Sequence, residues 1–245
     1  MTDRRRRAEE LARSADPLRW FETLYAEAGD DLSAVPWADL VANPHLLEWL
    51  ETDAGRRVSP PLDRPADEHA PRALVVGCGV GDDAEELARR GFSTVAFDIA
   101  ERAIEHCRRR FPDSPVEYRA ANLLNPPPEW IEAFDLVFEA YTLQVLPDSM
   151  RRLALASLAR FPRRGGSLLV ICRARDADEP VTGFPWPLTR AELDPLTAPR
   201  PADADPPKLW EASFEDFPDA EVPPVRRFRL EARRAEDRAV RRDEE

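Results

Sequence analysis

Residues 73–83, ALVVGCGVGDD, carry the pattern that most narrows the choice of fold. Four apolar residues run into glycines at 77, 79 and 81, then into two acids and the helical AEELARR. A short apolar run that turns through glycine into a helix reads as the opening half of a βαβ unit. Glycine there permits positive φ and lets the backbone approach a ligand closely. The helix behind the turn opens with free amide N–H groups. A merely tight strand-to-helix turn has the same composition, so a second feature is needed.

Asp98 is that feature. Residues 93–99, STVAFDI, read as a buried strand ending in Asp98, 21 positions after Gly77. In doubly wound sheets an acid at the end of the second strand sits beside the first turn and accepts hydrogen bonds from ribose hydroxyls. The competing reading makes Asp98 the cap of the helix beginning near Glu101.

The rest of the chain keeps the rhythm. Strands are expected near 73–77, 93–98, 115–119, 134–139 and 167–173, with helices near 82–90, 101–110 and 149–160. That alternation argues for α/β architecture with a parallel sheet. Afterwards TRAELDPL reads as a helix, and LWEASFEDF and VRRFRLEARR as an antiparallel edge hairpin. The stretch 199–208, PRPADADPPK, reads as a surface loop. Upstream, Leu18, Phe21, Leu24 and Tyr25 form one helical stripe. Asn43 and Pro44 cap and open a helix through Leu50, and a proline-rich linker fills 58–72.

Composition excludes several classes. The chain of 245 residues, 43% hydrophobic, suffices for one sizeable core. A net charge of −12 argues against a general nucleic-acid binder. Arg4 to Arg7 are followed at once by Glu9 and Glu10 and read as a solvated helix start. No apolar run approaches the roughly 18–20 residues of a membrane span, and no apolar segment follows the basic start, so no secretory signal is expected. Cys78, Cys107 and Cys172 have unrelated spacings, which predicts no metal site, no disulfide and a cytoplasmic setting.

The glycine spacing discriminates between ligands. A dinucleotide fingerprint is G-x-G-x-x-G, with pyrophosphate at the helix N-terminus. Here the third glycine comes one position early, and Asp82 and Asp83 occupy the helix start. Acids there suit the helix dipole but repel a pyrophosphate. A phosphate-free adenosine with a nearby cation, as in S-adenosylmethionine, suits the turn better.

VVGCGVG, FDIAERAI (97–104), AANLLNPP (120–127), FDLVFEAYTLQVLP (134–147) and RRGGSLLVICRA (163–174) resemble, in order, five motifs of the class I S-adenosylmethionine-dependent methyltransferases. The resemblance implies a Rossmann-like seven-stranded mixed sheet of order 3-2-1-4-5-7-6, with helices on both faces and an N-terminal helical extension. It implies a cap, lid and linker over 1–70 and a methyltransferase domain over 71–245. The methyl donor is then held over the strand ends by Gly77, Cys78, Gly79, Gly81, Asp98, Ile99, Asn122, Leu123, Glu139, Ala140 and Tyr141. VPWADLVANPHLLEWL is similar to the Pro-Trp element of the thiopurine and halide/thiol methyltransferase group, which sets Trp37 over the donor. Val75 departs from the family, where many members carry an acid. Asn122 stands where an Asp often contacts the adenine amino group; its side-chain oxygen can accept the same bond.

The implied function is methyl transfer to a small-molecule acceptor, a thiol, halide or other nucleophile, by in-line displacement. Trp37 and Tyr141 are candidates to face the sulfonium through cation–π attraction of about 0.5–2 kcal/mol. Glu139 faces either the methionine amine, the substrate or nearby loop amides. No catalytic residue is assigned, because a base is needed only for a weakly acidic nucleophile. His45, beside the lid, and His106, read as a surface residue, are the imidazoles available. Phe184 and Trp186 either wall the acceptor pocket or pack in the core. A monomer is expected. A nicotinamide-dependent oxidoreductase is disfavoured by the glycine spacing and the antiparallel end of the chain. A methyltransferase-like binding module without activity stays open.

Overall fold

The computed structural model describes residues 3–12, 18–61, 69–181, 183–199, 201 and 207–236. Four helices precede the sheet: α1 (Asp3–Ala12), α2 (Arg19–Ala28), α3 (Pro44–Leu50) and α4 (Asp53–Val58). Then follow β1 (Arg72–Val76), α5 (Asp82–Arg89), β2 (Ser93–Asp98), α6 (Glu101–Arg110), β3 (Glu117–Ala120), β4 (Phe134–Ala140), α7 (Asp148–Arg160) and β5 (Pro162–Arg173). The chain closes through α8 (Arg190–Leu193), β6 (Leu209–Pro218) and β7 (Arg226–Arg234). The seven strands lie in the order β3-β2-β1-β4-β5-β7-β6. β1 to β5 run parallel, and β7 enters antiparallel between β5 and β6.

Period-two alternation assigns each strand residue to one face of the sheet. Leu74 and Val76 of β1 join the cluster covered by α7 and α8, while Ala73 and Val75 join the cluster covered by α3, α5 and α6. Both faces of the central strands are therefore dry, which explains their unbroken apolar runs. A third cluster seats Trp20, Phe21, Leu24 and Tyr25 of α2 against Ala100 and Ala103 at the start of α6. The expected α2 stripe packs inward, with Trp20 added to it.

Local chemistry sets the boundaries. Asn43 caps α3 by accepting the His45 N–H at 3.0 Å, with Pro44 at the first helical position. Thr189 and Glu192 form a reciprocal capping box on α8. TRAELDPL is nonetheless only a short helix that tightens to a 3₁₀ turn over Asp194–Leu196. Pro195 has no N–H to continue the α-helical ladder. β5 starts at Pro162, five residues before the expected edge, because the pairing with β4 shifts between Phe134 and Leu136. β3 lies at Glu117–Ala120, slightly later than expected.

Residues 62–68 of the linker, and most of the expected loop at 199–208, lie outside the described residues. So do the side chains of Arg4 and Arg5; Arg7 pairs with Glu27, Nε to Oε2 3.0 Å, tying α1 to α2. Among the described residues, no helix is long and apolar enough to cross a membrane, and no group of His, Cys, Asp and Glu has metal-ligand geometry. All three cysteines are free.

Candidate active site

The turn after β1 divides its labour among its three glycines. A Cβ on Gly77 would stand 2.2 Å from Thr142 Oγ1, and one on Gly81 would stand 2.7 Å from the Tyr118 hydroxyl. Those two positions let neighbouring elements of the protein close up. Gly79 differs: at φ +54° its Cβ would meet only the Tyr25 hydroxyl, at 3.4 Å, and the edge of Trp37 beyond it. Those are ordinary contact distances, so the position tolerates a methyl where the other two do not, and Gly79 lines the cavity described below.

Asp98 ends β2 directly opposite. Its Oδ2 accepts the Gly79 N–H at 3.0 Å and its Oδ1 accepts the Ala100 N–H at 2.9 Å. Burial pushes its pKa up to about 6, against the backbone donors that favour the charged form. Each carboxylate oxygen keeps a lone pair for a further donor.

A cavity of about 900 Å³ lies over the carboxyl ends of β1, β2 and β4, near the upper end of the usual size for small-molecule sites, about 300–1,000 Å³. Gly77, Cys78 and Gly79 line it from the first turn, Asp98 and Ile99 from the second strand. Asn122, Leu123, Ala140 and Tyr141 line it from the loops beyond, and Trp37 from the N-terminal segment. Gly81 and Glu139, both expected to hold the donor, do not reach it.

Glu139 takes the last of its three expected alternatives, the loop amides. It is fully buried, and its Oε1 accepts the N–H groups of Thr142 at 2.7 Å and Leu143 at 3.0 Å. Burial raises its pKa to about 7, and Oε2 has no hydrogen-bond partner. Glu139 thus braces the turn that leaves β4, where Tyr141 takes φ +68°. Tyr141 itself lines the cavity with the Arg227 guanidinium 4.9 Å from its ring centroid.

Trp37 is held rather than loose. Its Nε1 donates to the Tyr25 hydroxyl at 2.9 Å, and its ring packs edge-on against Trp20 and Phe21. Asn122 Oδ1 accepts the Leu124 N–H at 2.8 Å, which fixes the side chain and leaves one lone pair. The acids at the start of α5 have different surroundings. Asp82 forms a two-pronged pair with Arg110 at 2.8 and 2.9 Å. Asp83 accepts the Asn43 N–H at 2.6 Å, and burial raises its pKa to about 6.

The imidazoles separate. His106 is buried, contrary to its expected surface position, because the face of α6 that carries it packs beside Tyr25 of α2. It does not reach the cavity, whereas His45 does. Phe184 also lines the cavity, with Trp186 packed edge-on behind it at 5.2 Å.

Tyr25, Thr142, Phe217 and Arg227 line the cavity without having been anticipated. Tyr25 reads in sequence as one more core position of an amphipathic stripe. Phe217 and Arg227 sit on the closing hairpin, far from every motif, and nothing local marks them.

Strand order, glycine turn and facing acid together define a class. Residues 73–166 match the methyltransferase domain family, and that match, with the strand order, supports a class I S-adenosylmethionine-dependent methyltransferase. Its sequence is similar to the probable thiol methyltransferase 2 of Arabidopsis thaliana, 27% identical over 130 residues. That match takes in 52% of this chain and 57% of the relative, so the chain spans little more than half of the relative's length. Its fold is similar to a structure solved for the conversion of a disulfide bond into a thioacetal group in echinomycin biosynthesis. The TM-score is 0.65 at 16% identity, over 91% of this chain and 94% of the other. N-methyltransferase NodS from Bradyrhizobium japonicum WM9, in complex with S-adenosylhomocysteine, gives a TM-score of 0.52 at 19% identity, over 94% and 99%.

Proposed function

We propose that the protein transfers the methyl group of S-adenosylmethionine to a small-molecule acceptor by in-line displacement. The observation that carries the reading is the pairing of Gly79 with Asp98 at the carboxyl ends of β1 and β2, both lining the cavity. A side chain at Gly79 would occupy the space that a ligand's approach needs, and the Asp98 oxygens retain acceptor capacity for a ribose diol. The neutral Tyr25 hydroxyl, its pKa raised by burial, and the Trp37 ring complete that side of the pocket.

When bound, the donor supplies a methyl group activated by a sulfonium. The protein's residues hold and orient. Positioning alone contributes about 7–11 kcal/mol at best. Trp37 and Tyr141 line the cavity as the ring candidates for the sulfonium, with Arg227 already lying over the Tyr141 ring. Among acceptor classes, a thiol draws support from the similarity to a probable thiol methyltransferase; a halide or another nucleophile is the wider reading. The segment 1–70 acts as the lid over the domain at 71–245, in a cytoplasmic monomer that binds no nucleic acid.

The test compares thermal stabilisation by S-adenosylhomocysteine, NAD and NADP. Stabilisation by S-adenosylhomocysteine alone is expected; stabilisation by the nicotinamides alone overturns the assignment. Transfer of labelled methyl to any acceptor in a small-molecule screen then eliminates the inactive binding module.

A further inference from the structure

One lobe of the cavity lies between the start of α3 and the β6–β7 hairpin. His45, Tyr141, Phe217 and Arg227 line it. His45 is buried, with its ring edge-on to Phe217 at 5.1 Å between centroids. Its Nδ1 makes no hydrogen bond, and Glu48 Oε2 lies 3.5 Å away. Glu48 is in turn held by Arg229, whose Nη1 reaches Glu48 Oε2 at 3.1 Å and the His45 carbonyl at 3.2 Å. A carboxylate beside Nδ1 favours the proton there, which leaves Nε2 as the nitrogen with a lone pair. Base, orienting acid and a clamp on that acid are all present.

The charges of the lobe restrict what can enter. The buried Arg227 donates to Asp219 at 2.7 Å and to Glu221 at 2.5 Å, two acids on one cation. Arg229 is likewise shared between Glu48 and Glu215. Asp83 adds a carboxylate bonded to the Asn43 N–H, and Arg173 is a further cation on the cavity wall. A preformed anion meets more negative than positive charge on entering. A neutral nucleophile meets none of that repulsion but must give up a proton in the course of the transfer.

We propose that His45 is the base of the acceptor site, and that the acceptor is a neutral nucleophile carrying a proton, a thiol, hydroxyl or amine, rather than a halide. This rests on the methyl-transfer reading above. In the step, the acceptor's X–H bond breaks and the proton passes to His45 Nε2. An electron pair on X forms the bond to the methyl carbon, the pair of the broken X–H bond stays on X, and the pair of the broken carbon–sulfur bond stays on sulfur as a neutral thioether. The imidazolium returns its proton to solvent through the cavity. Burial lowers the His45 pKa, with Arg227 and Arg229 adding to the effect and Glu48 opposing it. The ring is accordingly neutral and ready to accept a proton at pH 7.

The test measures labelled methyl transfer by wild type, His45→Gln and Glu48→Gln to benzyl mercaptan, phenol, benzylamine and iodide, with S-adenosylhomocysteine affinity measured in parallel. Wild type is expected to methylate at least one of the three proton-bearing acceptors and to favour it over iodide. His45→Gln then loses about 100-fold or more in kcat on that acceptor, with S-adenosylhomocysteine affinity within about twofold of wild type. Glu48→Gln, at a more exposed position, shifts the acidic limb of the pH–rate profile to lower pH; it decides the matter if His45→Gln fails to fold. Iodide as the best acceptor, an unchanged kcat in His45→Gln, or an acidic limb unmoved in Glu48→Gln overturns the proposal. So does a wild-type protein that binds S-adenosylhomocysteine and methylates none of the three. A wild type that does not bind S-adenosylhomocysteine overturns the methyl-transfer reading itself, and the two failures are thereby told apart.

Discussion

Asp98 Oδ2 accepts the backbone N–H of Gly79 at 3.0 Å, and the same carboxylate reaches Ala100 through Oδ1 at 2.9 Å. One side chain thus ties the turn after β1 to the start of α6. Asp98 is not the helix cap that one sequence reading made it: the N-cap of α6 is Ala100, whose N–H Asp98 bonds from two residues earlier, while the carboxylate lines the cavity. Asp98→Ala removes both a brace and a charged acceptor. A hydrogen bond to a charged group contributes about 1.5–3 kcal/mol, so S-adenosylhomocysteine affinity is expected to fall about ten- to a hundredfold, with a lower Tm. Calorimetric titration checks this, and an unchanged Kd removes Asp98 from the site.

The buried acids set a pH dependence with a definite sign. Asp98 and Asp83 are raised from 3.8 to about 6, and Glu139 from 4.5 to about 7, each chiefly by burial. A raised acid holds its proton more tightly in the folded state. Its contribution is complete below its ordinary value and is lost as pH rises through the folded one. Glu86, Glu51 and Asp216 are lowered by Arg89, Arg90 and Arg226 respectively, so their contribution is lost as pH falls below the ordinary carboxylate range. The Tm of the free protein is therefore expected to rise from about pH 8 to about pH 5.5 and to fall below about pH 4. Ribose hydroxyls favour the charged form of Asp98, so ligand affinity is expected to weaken below about pH 6. A Tm that climbs steadily toward pH 8 refutes the assignment of these three acids.

What was legible in the sequence was local. The turn 77–81, the acid 21 positions on, the Asn43 cap and the closing hairpin each arise from neighbours along the chain, so residue type and spacing report them. Glu139 was not legible: whether an acid ending a strand faces a ligand or the following turn depends on how the chain bends, here through Tyr141 at φ +68°. His106 points inward because α2 covers that face of α6, a partner some eighty residues earlier. On β7, Arg227, Arg229 and Glu231 alternate with Phe228, Leu230 and Ala232, a pattern that does not say whether the charged face is covered. That face is buried under α3 and α4, where Glu48 and Arg57 pair with Arg229 and Glu231, both at 3.1 Å. Contacts between such distant residues leave no periodic trace.

The glycines of the turn are expected to respond differently to alanine. Gly77→Ala places a methyl 2.2 Å from Thr142 Oγ1 and Gly81→Ala one 2.7 Å from the Tyr118 hydroxyl, so both lower Tm markedly. Gly79→Ala has space in the free protein but takes a left-handed φ, at about 1–2 kcal/mol. It is expected to fold with a modest loss of Tm and to show no thermal shift with S-adenosylhomocysteine. A normal shift in Gly79→Ala contradicts the turn as the ligand's seat.

Glu139→Gln separates bracing from binding. The glutamine oxygen can keep the bonds from Thr142 and Leu143, while the buried charge disappears. S-adenosylhomocysteine affinity is expected to stay within about twofold of wild type. The Tm at pH 8 is expected to exceed that of wild type, since above its raised pKa the carboxylate is charged and buried. A loss of affinity of tenfold or more returns Glu139 to the ligand site.

Trp37 is tested by separating its ring from its N–H. The Nε1 bond to Tyr25, at 2.9 Å, satisfies a hydroxyl that is almost wholly buried. Trp37→Phe keeps an aromatic face and leaves that hydroxyl without its donor, a cost of about 1–3 kcal/mol. It acts on the pocket irrespective of ligand charge, so S-adenosylmethionine and S-adenosylhomocysteine are expected to weaken together. Trp37→Leu also removes the face. A sulfonium held against the ring then loses a further about 0.5–2 kcal/mol, which the neutral thioether does not. The expected signature is a ratio of the two Kd values that changes about two- to thirtyfold in Trp37→Leu and stays constant in Trp37→Phe. If calorimetry gives the same ratio in wild type and both variants, Trp37 covers the pocket without touching the sulfonium, and Tyr141 is left as the ring that does.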